Sequence, residues 1–370
     1  MRTARRTSLL VAALAAVPFA AAGCAGEKPE ARPTTVVTAT KEEPEPLTLE
    51  VARREFRTFV TNEDVARAAG DERLALTWVS DGESPLTANE YRKAAFDGDP
   101  VRRYVYGAPK LYVPKLRPEV YPQWFVASVP RSVRGEDKGT RTAIMAFVLR
   151  APGERWTLSL ASTLAPKAKE PKVVLDAQGY ATALTTSDTS VLIRPREVPG
   201  IHATVGAEGS DSVAAKVMRS GPVTTGYYDA ARKAKRRAKT KDLTLSVVIT
   251  ATPYPIFQLR TEDGGGLVLY SLYRNSVTRV ADEEDETAKP PITPEIAHLL
   301  DDGTVEGNEI HVSETLQFAA LDPARPEKDE GDGEGEGGDG AAPQPPKADV
   351  IADAGGVYKA TAPPIRKPPS

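Results

Sequence analysis

The segment RTAIMAFVLRAPGERWTLSLASTL (residues 141–164) decides the fold class. Two apolar, β-branched runs flank Ala151-Pro152-Gly153-Glu154, a turn composition, so strands are expected over 141–150 and 156–164 as a hairpin. Upstream, aromatic and β-branched runs punctuated by Pro and Gly suggest further strands over 103–113 and 123–130. Further back the period changes. Leu49, Ala52, Phe56, Phe59 and Val60 recur at helical spacing. Thr61 or Asn62 can cap a second helix through Ala69, and Thr87 with Glu90 forms a capping-box pattern for a third, 89–96.

Downstream the same order returns. Helices are expected over 211–219 and 226–240, then strands near 242–252, 256–262, 266–280 and 308–320. Glu262-Asp263-Gly264-Gly265-Gly266 is a hairpin turn. Thr293-Pro294 opens a short helix to Leu300, and 349–360 reads as a final strand. A few helices followed by antiparallel strands, twice over, is an α+β arrangement with short N-terminal helices packed on each curved sheet. The expected domains are 47–170 and 171–321, with 348–361 returning to the second. Residues 322–347 form an acidic, Gly-rich disordered insertion, and 362–370 a Pro-rich tail.

The composition narrows the function. A formal charge of −3 argues against nucleic acid as the main partner. One cysteine excludes an intramolecular disulfide and any multi-cysteine metal site. No G-x-S-x-G, H-E-x-x-H, Walker or dinucleotide glycine pattern is present. His202, in an irregular segment, and His298 and His311 lack converging ligand partners in the sequence, so ordinary core or surface roles are expected. No catalytic residue, metal or cofactor is assigned, and a non-enzymatic role is favoured.

The N-terminus carries the clearest signal. Arg2, Arg5 and Arg6 precede an Ala/Val/Leu run from Leu9 to Ala22, and Gly23-Cys24 ends it. This layout is an export signal over 1–23. It resembles a bacterial lipobox, with Ala21 where leucine is usual. The resemblance implies cleavage between Gly23 and Cys24 and a diacylglycerol thioether on Cys24, with further acylation such as palmitate making a stable anchor. Residues 24–46, with Pro29, Pro33, Pro44 and Pro46, form a solvated tether that holds the body off the extracytoplasmic face of the cell membrane. Loss of the leader's three arginines leaves −6, and 327–340, with seven acids and one lysine, accounts for all of it.

Tyr106-Gly107-Ala108-Pro109-Lys110-Leu111-Tyr112-Val113-Pro114, Tyr121-Pro122-Gln123-Trp124-Phe125 and Gly355-Gly356-Val357 resemble stretches of actinobacterial cell-envelope lipoproteins of unknown function. The layout is similar to tandem cone domains of the nuclear-transport-factor-like and ketosteroid-isomerase-like type. That resemblance implies a mouth between helices and sheet, with Tyr104, Tyr112, Trp124 and Tyr270 as candidate pocket residues, joined by Asp64, Tyr254 and Tyr273. It leaves open an isomerase- or cyclase-like enzyme beside the favoured role of binding an envelope component or small apolar ligand.

Asp229 to Lys241 holds a dense set of cations. On a helix, Tyr227, Ala231, Ala234 and Ala238 line one stripe, while Arg232, Lys233, Lys235, Arg236, Arg237 and Lys239 cover the rest. Such a face suits anionic lipid, an acidic cell-wall polymer or an envelope protein, or a part in cell-wall assembly. Equally, it suits a solvated surface helix near the acidic run 282–286.

Replacing Cys24 with Ser is expected to leave the chain unlipidated and either uncleaved or released from membranes. Fractionation and mass spectrometry check this, and unchanged cleavage and membrane retention would refute it.

Overall fold

The computed structural model describes residues 45–136, 139–282, 287–300, 303–326 and 345–364. The expected signal peptide, Cys24 and residues 24–44 of the expected tether lie outside these, as do 327–344 of the expected insertion and 365–370 of the expected tail.

The first half opens with α1 (Leu49–Ala69), whose N-terminus is capped by Thr48, its Oγ1 accepting from Val51 N at 3.1 Å. The two helices expected over this stretch are one. Thr61 and Asn62 lie inside it, and Gly70, at φ +65°, ends it. A short α2 (Glu72–Leu76) follows, with Asp71 as its cap. α3 runs Glu83–Asp97, so Thr87 and Glu90 are interior residues rather than a cap. The expected strand over 103–113 is split at Gly107-Ala108-Pro109 into β1 (Tyr104–Tyr106) and β2 (Lys110–Tyr112). β3 (Gln123–Val133), β4 (Arg141–Leu149) and β5 (Thr157–Leu164) fall where the strand patterns place them.

The second half begins with α4 (Val198–Glu208), a helix the sequence reading leaves irregular. Pro199 sits in its first turn, where the missing N–H costs nothing. Of the helix expected over 211–219 only a single 3₁₀ turn at Val213–Lys216 forms, and the one expected at 294–300 is reduced to Ala297–Leu299. α5 (Thr225–Lys239) is followed by β6 (Leu243–Ala251), β7 (Phe257–Arg260), β8 (Gly266–Val280), β9 (Glu309–Asp322) and β10 (Asp349–Thr361).

All ten strands belong to one sheet, ordered β1-β3-β4-β5-β10-β9-β8-β6, with β2 also on β3 and β7 also on β8. Every named pairing is antiparallel. The halves therefore share a sheet instead of each closing its own. β10 makes the join, pairing Ala352 with Leu164 and Asp353 with Thr163 on β5.

Side-chain alternation sorts the core into layers. Phe125, Ala127, Met145 and Phe147 face α1, packing on Phe56 and Phe59. Val126, Ile144, Ala146 and Val148 point the other way and meet Phe257, Leu259, Leu267 and Leu269 of the second half. Tyr270, Leu272 and Phe318 face α4. The back faces of the two half-sheets thus enclose a central core, with α1 and α4 on the outer faces.

Close approach at the join depends on glycine. Gly355 on β10 has φ +144°, and a Cβ there would lie 2.4 Å from Thr315 O and 2.9 Å from Leu316 Cα. Both are backbone atoms and cannot swing aside. Gly355→Ala is expected to cost at least about 2 kcal/mol from strain and overpacking. Denaturant unfolding checks it, and a midpoint equal to wild type would contradict the geometry.

Candidate functional site

Where the helices of the first half meet the join, the molecule buries a cluster of charge. Arg67, on the last turn of α1, is 6% exposed. Its Nε donates to Glu63 Oε1 at 2.9 Å, one helical turn back, and its Nη1 reaches Glu90 Oε2 and Arg102 O, each at 2.8 Å. Its guanidinium also lies over the Tyr104 ring, 4.7 Å from the centroid. Arg131 approaches the same ring at 4.8 Å. Tyr106 donates its hydroxyl to Glu63 Oε2 at 2.7 Å, and burial together with Glu63 pushes its titration well above the usual tyrosine range. Strand alternation puts Tyr104 and Tyr106 on one side of β1, and the i,i+4 spacing puts Glu63 beneath Arg67.

Glu83 opens α3 beside this cluster. Burial pushes its carboxyl up to about 7, opposed by Arg131 and Arg67 and reinforced by Glu63. Gly82 before it is buried against the second half: a Cβ there would lie 3.0 Å from both Gln317 Nε2 and Thr315 Cγ2. Gln317 ties the halves from the other side, its Oε1 accepting from Ala161 N at 2.9 Å.

Between Glu63, Arg67, Glu83, Trp78 and Tyr91 lies a cavity of about 10 Å³, room for roughly one water molecule. The Trp78 indole N–H and the Tyr91 hydroxyl are buried with no hydrogen-bond partner among the described residues. This arrangement can hold a proton on Glu83 near neutral pH. It has no space for a substrate.

The four candidate pocket residues do not come together. Tyr104 belongs to the charged cluster, donating to Glu90 Oε1 at 3.3 Å. Tyr112 and Trp124 point away from the helices into the central core. There Tyr112 reaches Pro171 O at 3.5 Å, and the Trp124 ring lies 5.6 Å from Phe257. Tyr270 is buried in the second half, its hydroxyl 2.9 Å from His202 Nδ1. The single mouth expected for them is replaced by three packed locations. Asp64 is at the surface in an ion pair with Arg103 (2.7 Å), and Tyr254 meets Tyr273 hydroxyl to hydroxyl at 2.6 Å.

The histidines separate likewise. His202 is buried on α4, its Nε2 2.6 Å from Val223 O, and burial lowers its titration to about 4. His298 meets Asn89 Oδ1 at 2.6 Å, and His311 meets Glu309 Oε1 at 2.8 Å. Among the described residues, no group of three His, Cys, Asp or Glu is placed to hold a metal.

The cationic stretch forms α5 with the expected stripe. Tyr227, Ala231, Ala234 and Ala238 are half-buried, whereas Arg232, Lys233, Lys235, Arg236, Arg237 and Lys239 are exposed. α5 rests on α4 and on β6. Among the described residues none of these six cations forms an ion pair; Arg232 lies over the Tyr228 ring at 5.4 Å. Among the described residues, too, no helix is long and apolar enough to cross a membrane.

Comparison with known proteins places this α+β chain within a family whose relatives are lipoproteins. It belongs to the family described as a domain of unknown function, DUF8094, whose model matches residues 45–335. An uncharacterized lipoprotein of Streptomyces coelicolor is 28% identical over 298 residues, covering 76% of this chain and 80% of its own length. A second from that organism is 26% identical over 208 residues (55% and 57%). One from Streptomyces avermitilis is 23% identical over 171 residues (46% and 48%). No solved structure matches the chain. The likeness to actinobacterial lipoproteins of unknown function is thus established.

Glu83 gives stability a signed dependence on pH. Below pH 4.5 the folded and unfolded chains both carry its proton. Between 4.5 and about 7 only the folded chain keeps it, so stability falls as pH rises. The full loss, on the order of 3 kcal/mol, is reached above the folded value. Gln at position 83 cannot ionise. Glu83→Gln should therefore gain on wild type steadily from pH 5 to 8 in thermal unfolding, whereas parallel curves would show that Glu83 does not retain its proton.

Proposed function

We propose that the protein is a lipoprotein held by Cys24 at the extracytoplasmic face of the cell membrane, and that its body works by binding an acidic component of the envelope through α5. The carrying observation is the set of exposed cations, without an ion pair among the described residues, on a helix whose apolar stripe is fixed to the body. A cation near an anionic surface contributes about 1 kcal/mol, so a cluster of this size supports measurable binding while the tether keeps the body close. Lipid headgroups, wall polymers and acidic protein segments share this chemistry. The two helix-then-strand halves support reading the body as a duplicated unit with boundaries near 47–170 and 171–321, to which 348–361 returns.

The small-molecule enzyme has less support, because the cavity beside Glu83 fits one water and the tyrosines expected in a mouth are dispersed.

Binding of the full-length protein in nonionic detergent to phosphatidylglycerol vesicles and to poly-L-glutamate provides the test, with phosphatidylcholine vesicles as the neutral control. The double charge reversal R236E/R237E is expected to weaken binding to at least one anionic probe tenfold or more at about 0.1 M salt, where exposed charges still act over roughly 10 Å. Undiminished binding to both, or none by wild type, would refute the reading.

A further inference from the structure

We infer that the free edge of β6, together with the overhanging cations of α5, is a docking site for an extended acidic segment of a partner protein, which joins the sheet as an added strand. The inference rests on the reading of α5 as a contact for acidic groups and names the partner.

The two ends of the sheet are built differently. At one end the outer strands β1 and β2 are three residues each, interrupted by Gly107-Ala108-Pro109, and Pro130 on β3 has no N–H to offer. Short strands and proline are the usual protection against edge pairing. The other end is β6, nine residues of sequence LTLSVVITA, without charge, proline or glycine. It pairs on one side only, with β8.

Register shows which groups are free. Thr252 N donates to Ser271 O, and Ala281 N donates to Asp242 O, so even-numbered residues of β6 bond inward to β8. The N–H and C=O groups of Leu243, Leu245, Val247, Ile249 and Ala251 therefore point outward from the sheet, and none has a backbone partner among the described residues. A lipid headgroup cannot match this alternating row of donors and acceptors. An extended polypeptide supplies both at the same spacing.

Charge selects the kind of polypeptide. α4 lies over β8 and β6, and α5 packs against α4 and β6, its first turn reaching inward where the Tyr227 ring meets Arg274 of β8 at 5.3 Å. Only Thr240-Lys241-Asp242 separates the end of α5 from β6, so Arg236, Arg237 and Lys239 lie at the Leu243 end of the edge. A second copy pairing antiparallel would set its own α5 cations at the opposite end of the edge, and its uncharged β6 would offer these cations no acidic group. A strand bearing Glu or Asp on its helix-facing side is attracted.

Fluorescence anisotropy of the full-length protein in nonionic detergent tests this with a fluorescein-labelled nine-residue peptide alternating Glu with Val and Thr. Wild type should bind saturably. Val247→Pro removes one outward N–H without touching the inner ladder and should weaken binding tenfold or more, as should R236E/R237E. N-methylating one alternate set of peptide residues should abolish binding, while methylating the other set is tolerated. If Val247→Pro itself unfolds the protein, the methylated pair decides alone. No binding, or equal binding by both methylated peptides, overturns the proposal. Loss with R236E/R237E but not with Val247→Pro also overturns the added strand, while leaving α5 as an anion contact. Loss with Val247→Pro alone overturns the acidic partner. A dimer in sedimentation equilibrium that Val247→Pro dissolves assigns the edge to a second copy and overturns it too.

Discussion

The join between β5 and β10 carries more of the architecture than its size suggests. Only two residue pairs and the Ala165 N to Ile351 O bond (2.8 Å) hold the strands together there. Around it everything is packed without slack. Gly355 presses on the β9 backbone, Gly82 presses on Gln317, and Gln317 in turn accepts from Ala161 across the join. Because β10 is the last strand of the chain yet lies between β5 and β9, the first half completes its neighbour contacts only when the C-terminal strand is in place. Such long-range closure is slow to form and makes the halves interdependent.

The same join explains why charge is buried where it is. α3 must start against the back face of the second half, so its first-turn acid, Glu83, is carried inward with it. Glu63 and Glu90 are already matched to Arg67, and Arg131 lies nearby. An ionised Glu83 would compete for partners in a space that fits about one water. Burial therefore raises its carboxyl despite the pull of Arg131, Arg67 and Gln317 toward the charged form. The cluster's ion pairs are worth little as simple glue after desolvation, and their effect is to specify how α1 and α3 meet β1.

Legibility in the sequence followed how local the determining physics is. Strands β3 to β5 and β6 to β10 were readable because their alternation is carried by their own residues. α5 was readable for the same reason, down to its half-buried stripe. α4 was obscured by Pro199 and Gly200, which weaken helix propensity although proline at the first turn is compatible with a helix. Thr87 and Glu90 fit a capping pattern that the interior of a longer helix can contain by accident. The pocket tyrosines show the deeper limit. Alternation says that Tyr112 and Trp124 share or oppose faces, but not which face meets helices and which meets another sheet. That assignment is made only by the join, which lies over 180 residues away in the chain. Glu63 and Arg67 had an i,i+4 signal, and Glu83 had none, because its burial depends on a strand the sequence places far from it.

Sheet order and charge also connect the ends of the molecule. β10 enters beside the segment before α5: Ala348 bridges Met218, Arg219 N donates to Ala348 O at 2.8 Å, and Lys347 Nζ reaches Ala215 O at 2.7 Å. Lys347 and Ala348, which lead into β10, are therefore fixed beside the segment that precedes the cationic helix. Charge is unevenly distributed along the chain, since α5 holds six cations against one acid, Asp229.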